Sequence, residues 1–325
     1  MLRLQHRPRF RPVKRARFGR IAKAGFFILG LPKGSFCSID VTARCNLRCK
    51  HCYFLEQGYE RAAELTVEQW LELLESLQRA AWPRPYAAFQ ASWVGGEPLL
   101  RREVIERCRH LFPYNIVVTN GTLPLPDWPD VHFFISVDGT REAHEAIRGE
   151  GTYERIQRHA DRPDLDVMLT FCINRLNRHC VEEFLVEWDR TSVRHVAFEF
   201  HTPILGLEAD EELALSLTER DEMLELLLEL KEVYGHFIVP PARTYRLMSS
   251  RVCGEVTKRC LYRDAAFVLG PDGRRKHPCM LGPKADCNRC GCIIPFVTES
   301  QVNRKEILRD LWLEAGRRWV RRRGG

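Results

Sequence analysis

Three cysteines fall within one short stretch, Cys45-Asn46-Leu47-Arg48-Cys49-Lys50-His51-Cys52-Tyr53. Cubic iron–sulfur clusters take Cys thiolates as ligands. A single loop carrying Cys45, Cys49 and Cys52 can therefore hold three irons of such a cluster and leave the fourth open to another ligand. A structural zinc ion closes with four ligands, usually as two CxxC-like pairs, and a disulfide framework would leave one of three thiols unpaired. The spacing here suits neither.

A second set lies near the other end: Cys260, Cys279, Cys287, Cys290 and Cys292, the last three as a compact CxxCxC. Between the first two, residues 266–273 read as a hairpin with a Pro271-Asp272-Gly273 turn, which would bring distant cysteines beside the CxxC. A cluster or a four-cysteine zinc site would both fit this spacing. Cys37, Cys108 and Cys172 sit within strand or helix patterns and read as buried apolar residues. Cys180 has no metal-like spacing, and Cys253 is ambiguous.

The elements that must position these residues follow from periodicity. Residues 35–42 alternate as a first strand that ends just before Cys45. Residues 66–80 form a helix with a Thr66/Gln69 capping box and a Leu65–Trp70 staple. Further strands are expected at 89–94, 115–119, 132–137, 167–173 and 195–200, with helices at 101–112 and 218–234 and helical or loop segments at 141–160 and 181–190. Strands alternating with helices predict parallel βαβ units, and six such steps make a partial (β/α)6 barrel. Active sites form at the C-terminal ends of barrel strands. Small polar residues gather there: Gly95-Gly96-Glu97-Pro98, Thr119-Asn120-Gly121-Thr122 and Ser136-Val137-Asp138-Gly139, with Asn174 ending the next strand. Each alone is ordinary turn chemistry.

As a set, the cysteine loop and the Gly-Gly-Glu-Pro turn resemble the radical S-adenosylmethionine (SAM) enzymes. That family's commonest motif places an aromatic just before the third Cys; here His51 holds that place and Tyr53 follows. The resemblance implies a [4Fe–4S] cluster on Cys45, Cys49 and Cys52, with SAM on the open iron. It implies reductive cleavage of SAM to methionine and a 5′-deoxyadenosyl radical. It places Gly95, Gly96 and Glu97 at the SAM amino group, Asn120 among the SAM-binding residues, Ser136 near the carboxylate and Asp138 near the ribose. Arg148 would pair with the carboxylate, and Tyr53 would lie near adenine. The C-terminal cysteines resemble SPASM and twitch extensions but lack the longer cysteine run of SPASM. One auxiliary [4Fe–4S] cluster is implied, on four of Cys260, Cys279, Cys287, Cys290 and Cys292.

Four regions are expected: a basic extension 1–34, a barrel 35–240, an auxiliary-cluster region 241–300 and a basic tail 301–325. Of 325 residues, 45% are hydrophobic, enough for a large core. Thirteen cysteines in a chain this long, with no secretory signal, point to a reducing, cytoplasmic setting. The net charge of +7 belongs to the ends: residues 1–34 hold ten Lys or Arg and no acid, which leaves 40 basic against 43 acidic side chains elsewhere. Beside Phe26 to Leu29, that segment could lie on an anionic membrane surface; like-charge runs are also often solvated tails. An electron donor such as flavodoxin or ferredoxin is implied. A reading from another class is a non-catalytic iron–sulfur or zinc protein that docks nucleic acid through its basic ends, but the slightly acidic body does not favour it.

Overall fold

The computed structural model describes residues 36–54, 63–80, 87–260, 262–263 and 266–302. Segment 1–34 and the arginine run at 317–323 lie outside the described residues. The strands are β1 Phe36–Asp40, β2 Gln90–Val94, β3 Tyr114–Thr119, β4 Val131–Ser136, β5 Asp166–Ile173, β6 His195–Phe200, β7 Ile238–Val239 and β8 Ala266–Leu269. They form one open sheet in the order β7-β6-β5-β4-β3-β2-β1-β8, and every neighbouring pair is parallel. The first six are the six expected βα steps.

β8 departs from expectation. It lies parallel to β1, with Phe36 opposite Ala266 and Ile39 opposite Leu269, so the cysteine-rich region lends a strand to the main sheet. A short return does follow: Gly270 N–H donates to the Arg274 carbonyl at 2.9 Å and Lys276 N–H to Val268 at 3.0 Å. Parallel partners carry no local turn signature, which is why only the return was legible.

The helices are α1 Val67–Arg79, α2 Arg102–Cys108, α3 Arg141–Arg148, α4 Thr152–Ala160, α5 Val181–Trp188, α6 Glu208–Leu213, α7 Leu217–Tyr234, α8 Ala242–Leu247, α9 Cys253–Lys258 and α10 Ile293–Val302. Helix α1 carries the Thr66/Gln69 capping box and buries Trp70 and Leu74. The helical or loop segment expected over 141–160 is two helices, α3 and α4, separated at Gly149 and Gly151, whose φ values of 106° and 69° an L side chain rarely adopts. Among the described residues no helix is long and apolar enough to cross a membrane.

Side chains alternate across the sheet with period two. One face buries Trp93, Val117, Phe133, Ile135, Phe171 and Phe198 in a core shared with Val104, Ile156, Phe184, Trp188 and Leu227 of the helices. The opposite, inner face carries Ser92, Phe134, Ser136, Met168, Thr170, Cys172 and Glu199, all half-buried. Cys37, Cys108 and Cys180 are buried in the core. Cys172, expected to be buried with them, instead stands half-buried on the inner face opposite Glu199, because its strand parity differs from that of Phe171 and Ile173.

At the C-terminal edge β1 and β2 continue as a backbone seam. Val41 N–H donates to Val94 O at 3.0 Å, Gly96 N–H to Thr42 O at 3.0 Å, and Glu97 N–H to Arg44 O at 2.9 Å. The approach is so close that a Cβ on Gly96 would lie 2.2 Å from the Arg44 carbonyl oxygen. Gly96→Ala must therefore part the seam. We expect a loss of about 1–3 kcal/mol in denaturant unfolding, the usual cost of overpacking; an unchanged midpoint would refute the contact. A second expectation concerns pH. His144 is fully buried, its Nδ1 accepts from Asp138 N–H at 3.0 Å, and burial pushes its pKa down to about 3. The folded imidazole stays neutral while the unfolded one takes a proton near its ordinary value, so stability is full above that value and falls as pH drops below it. From pH 7 to 5 the loss should be about 2 kcal/mol. His144→Asn, which keeps an acceptor for Asp138 N–H, should abolish that share.

Candidate active site

The cysteine loop leaves β1 and is held on three sides. From β2, the seam fixes residues 42–44. From the chain before α1, the Glu64 carboxylate accepts from Thr42 Oγ1 and, at 3.0 Å, from Ala43 N–H, and pairs with Arg101 at 3.0 Å. Burial alone would raise the pKa of Glu64, but these donors hold it lower. From β3, Asn120 Nδ2 donates to Asn46 Oδ1 at 2.9 Å and lies 3.9 Å from Cys45 Sγ, while Asn46 Nδ2 donates to Thr122 Oγ1 at 2.8 Å.

Glu97 is fully buried. Its carboxylate accepts from Leu99 N–H at 3.0 Å, Thr119 Oγ1 at 2.7 Å and Asn120 N–H at 2.8 Å. Burial raises its pKa and these donors oppose the rise. The side chain expected to meet a ligand ammonium thus ties the end of β2 to the end of β3.

Asp138, expected near a ribose, is also fully buried. It pairs with Arg148 Nε, lies 3.3 Å from His51 Nε2 and accepts from Cys172 N–H at 3.1 Å. Burial would raise its pKa, but Arg148 and His51 hold it far below the carboxylate range. Arg148, so gripped, lies with Nη1 4.0 Å from Cys49 Sγ and Nη2 3.5 Å from His51 Nε2. Lys50 N–H donates to Ile147 O at 3.0 Å, which docks the loop on the end of α3. Ser136 stands half-buried on the inner face opposite Thr170. Burial raises the Cys49 thiol to about 11; Cys52 and Cys45 push the same way, and Arg148 opposes them. The three thiols therefore lie within electrostatic reach of one another.

The second cysteine set closes over the end of β6. Phe200 N–H donates to Gly291 O at 3.0 Å, Gly291 N–H donates to Thr202 Oγ1 at 2.8 Å, and a Cβ on Gly291 would lie 2.1 Å from Phe200 O. Cys287 O accepts from Thr257 Oγ1 at 2.6 Å. Burial raises Cys290 to about 12, with Cys279 and Cys260 adding to it. Cys279 is raised by burial and by Cys287 and Cys260, and Cys292 by burial, Glu199, Cys290 and Cys279. Each of the five thiols thus lies within electrostatic reach of Cys279 or is Cys279 itself. Cys253, the ambiguous one, is buried beneath them and donates to Asn288 O at 3.2 Å.

Both sets fit a cluster in donor chemistry: free thiols, half-buried except for the exposed Cys287, and able to deprotonate when metal binds. Among the described residues no three His, Cys, Asp or Glu side chains converge closely enough to hold one metal ion, a condition a multi-iron cluster does not impose.

Several residues of the site were not singled out from the sequence. Glu64, Arg101 and Asn46 hold the loop through long-range contacts with no local signal. His201 stands beside Asp210 at 3.3 Å, with its ring centroid 6.4 Å from that of His51. Glu199 had a usable signal, an acid within the apolar run Val196–Phe200 of β6. It lies between the two sets: burial raises it to about 7, and it acts on both Tyr53 and Cys292.

Residues 39–163 match the Radical SAM superfamily. The pre-heme d1 synthase of Dinoroseobacter shibae is 33% identical over 160 residues, 45% of this chain and 38% of that protein. The Fe-coproporphyrin III synthase of Methanosarcina barkeri is 27% identical over 207 residues, 58% of this chain and 50% of that one. The chain thus spans half or less of these curated relatives. The solved structure of native anSMEcpe with bound AdoMet shares the fold with a TM-score of 0.56 at 17% identity, covering 80% of each chain. The cysteine loop and the Gly-Gly-Glu-Pro turn, seamed together, both lie inside residues 39–163, the segment that matches the Radical SAM superfamily.

Proposed function

We propose that this chain is a radical SAM enzyme with two iron–sulfur clusters. The observation that carries the reading is the seam that sets Gly95, Gly96 and Glu97 against the start of the Cys45–Cys49–Cys52 loop. Cys45, Cys49 and Cys52 would hold a [4Fe–4S] cluster, and four of Cys260, Cys279, Cys287, Cys290 and Cys292 a second, SPASM/twitch-type one. The first such cluster, once reduced, would supply one electron to the sulfonium of bound SAM, whose carbon–sulfur bond would then break to methionine and a 5′-deoxyadenosyl radical. The protein's part is placement. Gly95 and Gly96 present backbone at a distance no side chain would permit. Glu97 and Asn120 lock the ends of β2 and β3. Asp138 fixes Arg148 beside Cys49, and so acts through it. Tyr53 and Ser136 face the space in which SAM would lie.

Substrate would enter the inner face between the two cysteine sets, past Phe134, Met168, Cys172 and Glu199. It is a peptide or protein side chain or a small biosynthetic intermediate; the names of the two relatives favour testing an iron porphyrin first. Electrons would come from a small donor such as flavodoxin or ferredoxin in a reducing cytoplasm, and the basic segment 1–34 could hold the enzyme at an anionic membrane surface.

Anaerobically reconstituted protein with dithionite should form 5′-deoxyadenosine from SAM. Cys49→Ala should abolish it, and equal product from the variant would sink the assignment. Iron should approach about eight per chain, four for each cubic cluster, and the Cys45/Cys49/Cys52→Ala variant should keep about half. Stoichiometric zinc without iron in that variant would make the C-terminal set a zinc site.

A further inference from the structure

Arg220, near the start of α7, is 3% exposed. None of its three guanidinium nitrogens has a hydrogen-bond partner. The guanidinium lies 5.2 Å from the ring centre of Phe200 and 6.0 Å from that of Phe296. The neighbouring carboxylate, Asp221, is taken up by Ser250, which bonds it through both N–H and Oγ. A buried cation without an anion costs several kcal/mol, and stacking on aromatic rings offsets only about 2.

The second cysteine set lies next to this cation. Phe200, under the guanidinium, is bonded to Gly291, the residue between Cys290 and Cys292. Cys253 and Cys290 lie within electrostatic reach of Arg220. Metal binding deprotonates thiol ligands, and a cubic cluster on four thiolates carries net negative charge. The missing anion therefore arrives only with the cluster.

We propose that Arg220 is the charge-compensating residue of the auxiliary cluster: a buried guanidinium held between Phe200 and Phe296 that raises the reduction potential of the cluster and strengthens its retention. This rests on the two-cluster reading. It concerns positioning of charge, since Arg220 touches neither SAM nor the inner face.

The test uses the full chain in the Cys45/Cys49/Cys52→Ala background, where only the auxiliary cluster remains. Arg220→Met removes the charge and keeps an apolar stem; Arg220→Lys keeps the charge. In a redox titration followed by electron paramagnetic resonance, Arg220→Met should need a more negative potential. At a poise set near the parent midpoint its reduced-to-oxidised ratio should fall about tenfold, which for one electron is 59 mV, and Lys should restore most of it. The metal-free Met variant should melt at or above its parent, because an uncompensated buried charge is gone, while the cluster should leave faster to a chelator. Loss of iron from the Met variant with retention in the Lys variant would support the same role. An unchanged potential, or lower melting of the metal-free protein with cluster loss from both variants, would make Arg220 a packing residue and overturn the proposal alone. A background variant that holds no iron would overturn the auxiliary-cluster reading and this inference with it.

Discussion

The site-bearing edge of the sheet depends on buried carboxylates that must find donors. Asp40 at the end of β1, Glu97 after β2 and Asp138 after β4 are each buried. A buried charge is tolerated only when paired or hydrogen-bonded, and each of these recruits its donors from a different element. Lys276, beyond β8, reaches Asp40. Thr119 and Asn120 at the end of β3 serve Glu97. Arg148 at the end of α3 and the Cys172 N–H of β5 serve Asp138. The pairing requirement thus acts as a set of cross-ties. It fixes the loops at the open edge, where parallel strands end and backbone pairing stops.

This explains why the acids expected to touch a ligand are occupied within the protein. Glu97 and Asp138 were placed at SAM because carboxylates accept from ammonium and ribose groups. At full burial their carboxylates must also find donors within the protein, and these donors fix both side chains in place at the site-bearing edge.

The parts legible in the sequence are those set by short-range rules. The three-cysteine loop, the Gly-Gly turn and the Thr66 capping box are local, and the six main strands are legible as one alternating and five short apolar runs. Pairing between distant segments was not legible. Nothing local marks β8 as the neighbour of β1, or Glu64 as the partner of Thr42. Strand parity was only half readable: β5 alternates visibly, yet which of its two faces lies under the helices is decided by packing, and that decision puts Cys172 beside Glu199. His51 stood out only as a departure from a motif. Its contact with Asp138 needs the fold, which carries the end of β4 across to the cysteine loop.

The two cysteine sets share a buried arginine apiece but differ in how it is neutralised. Arg148 approaches Cys49 already paired with Asp138, so arginine and acid together add no net charge beside the first set. Arg220 approaches the second set with no acid of its own. Net charge and hydrogen bonding near the sulfurs are among the levers that set cluster potentials. An unneutralised guanidinium in a low-dielectric setting acts strongly, while a neutralised pair acts mainly as a dipole. On this electrostatics a cluster on the second set would be the easier of two to reduce. An electron that reached it would have a downhill resting place there, and Glu199, Tyr53 and the inner face lie between that place and the Cys45–Cys49–Cys52 loop.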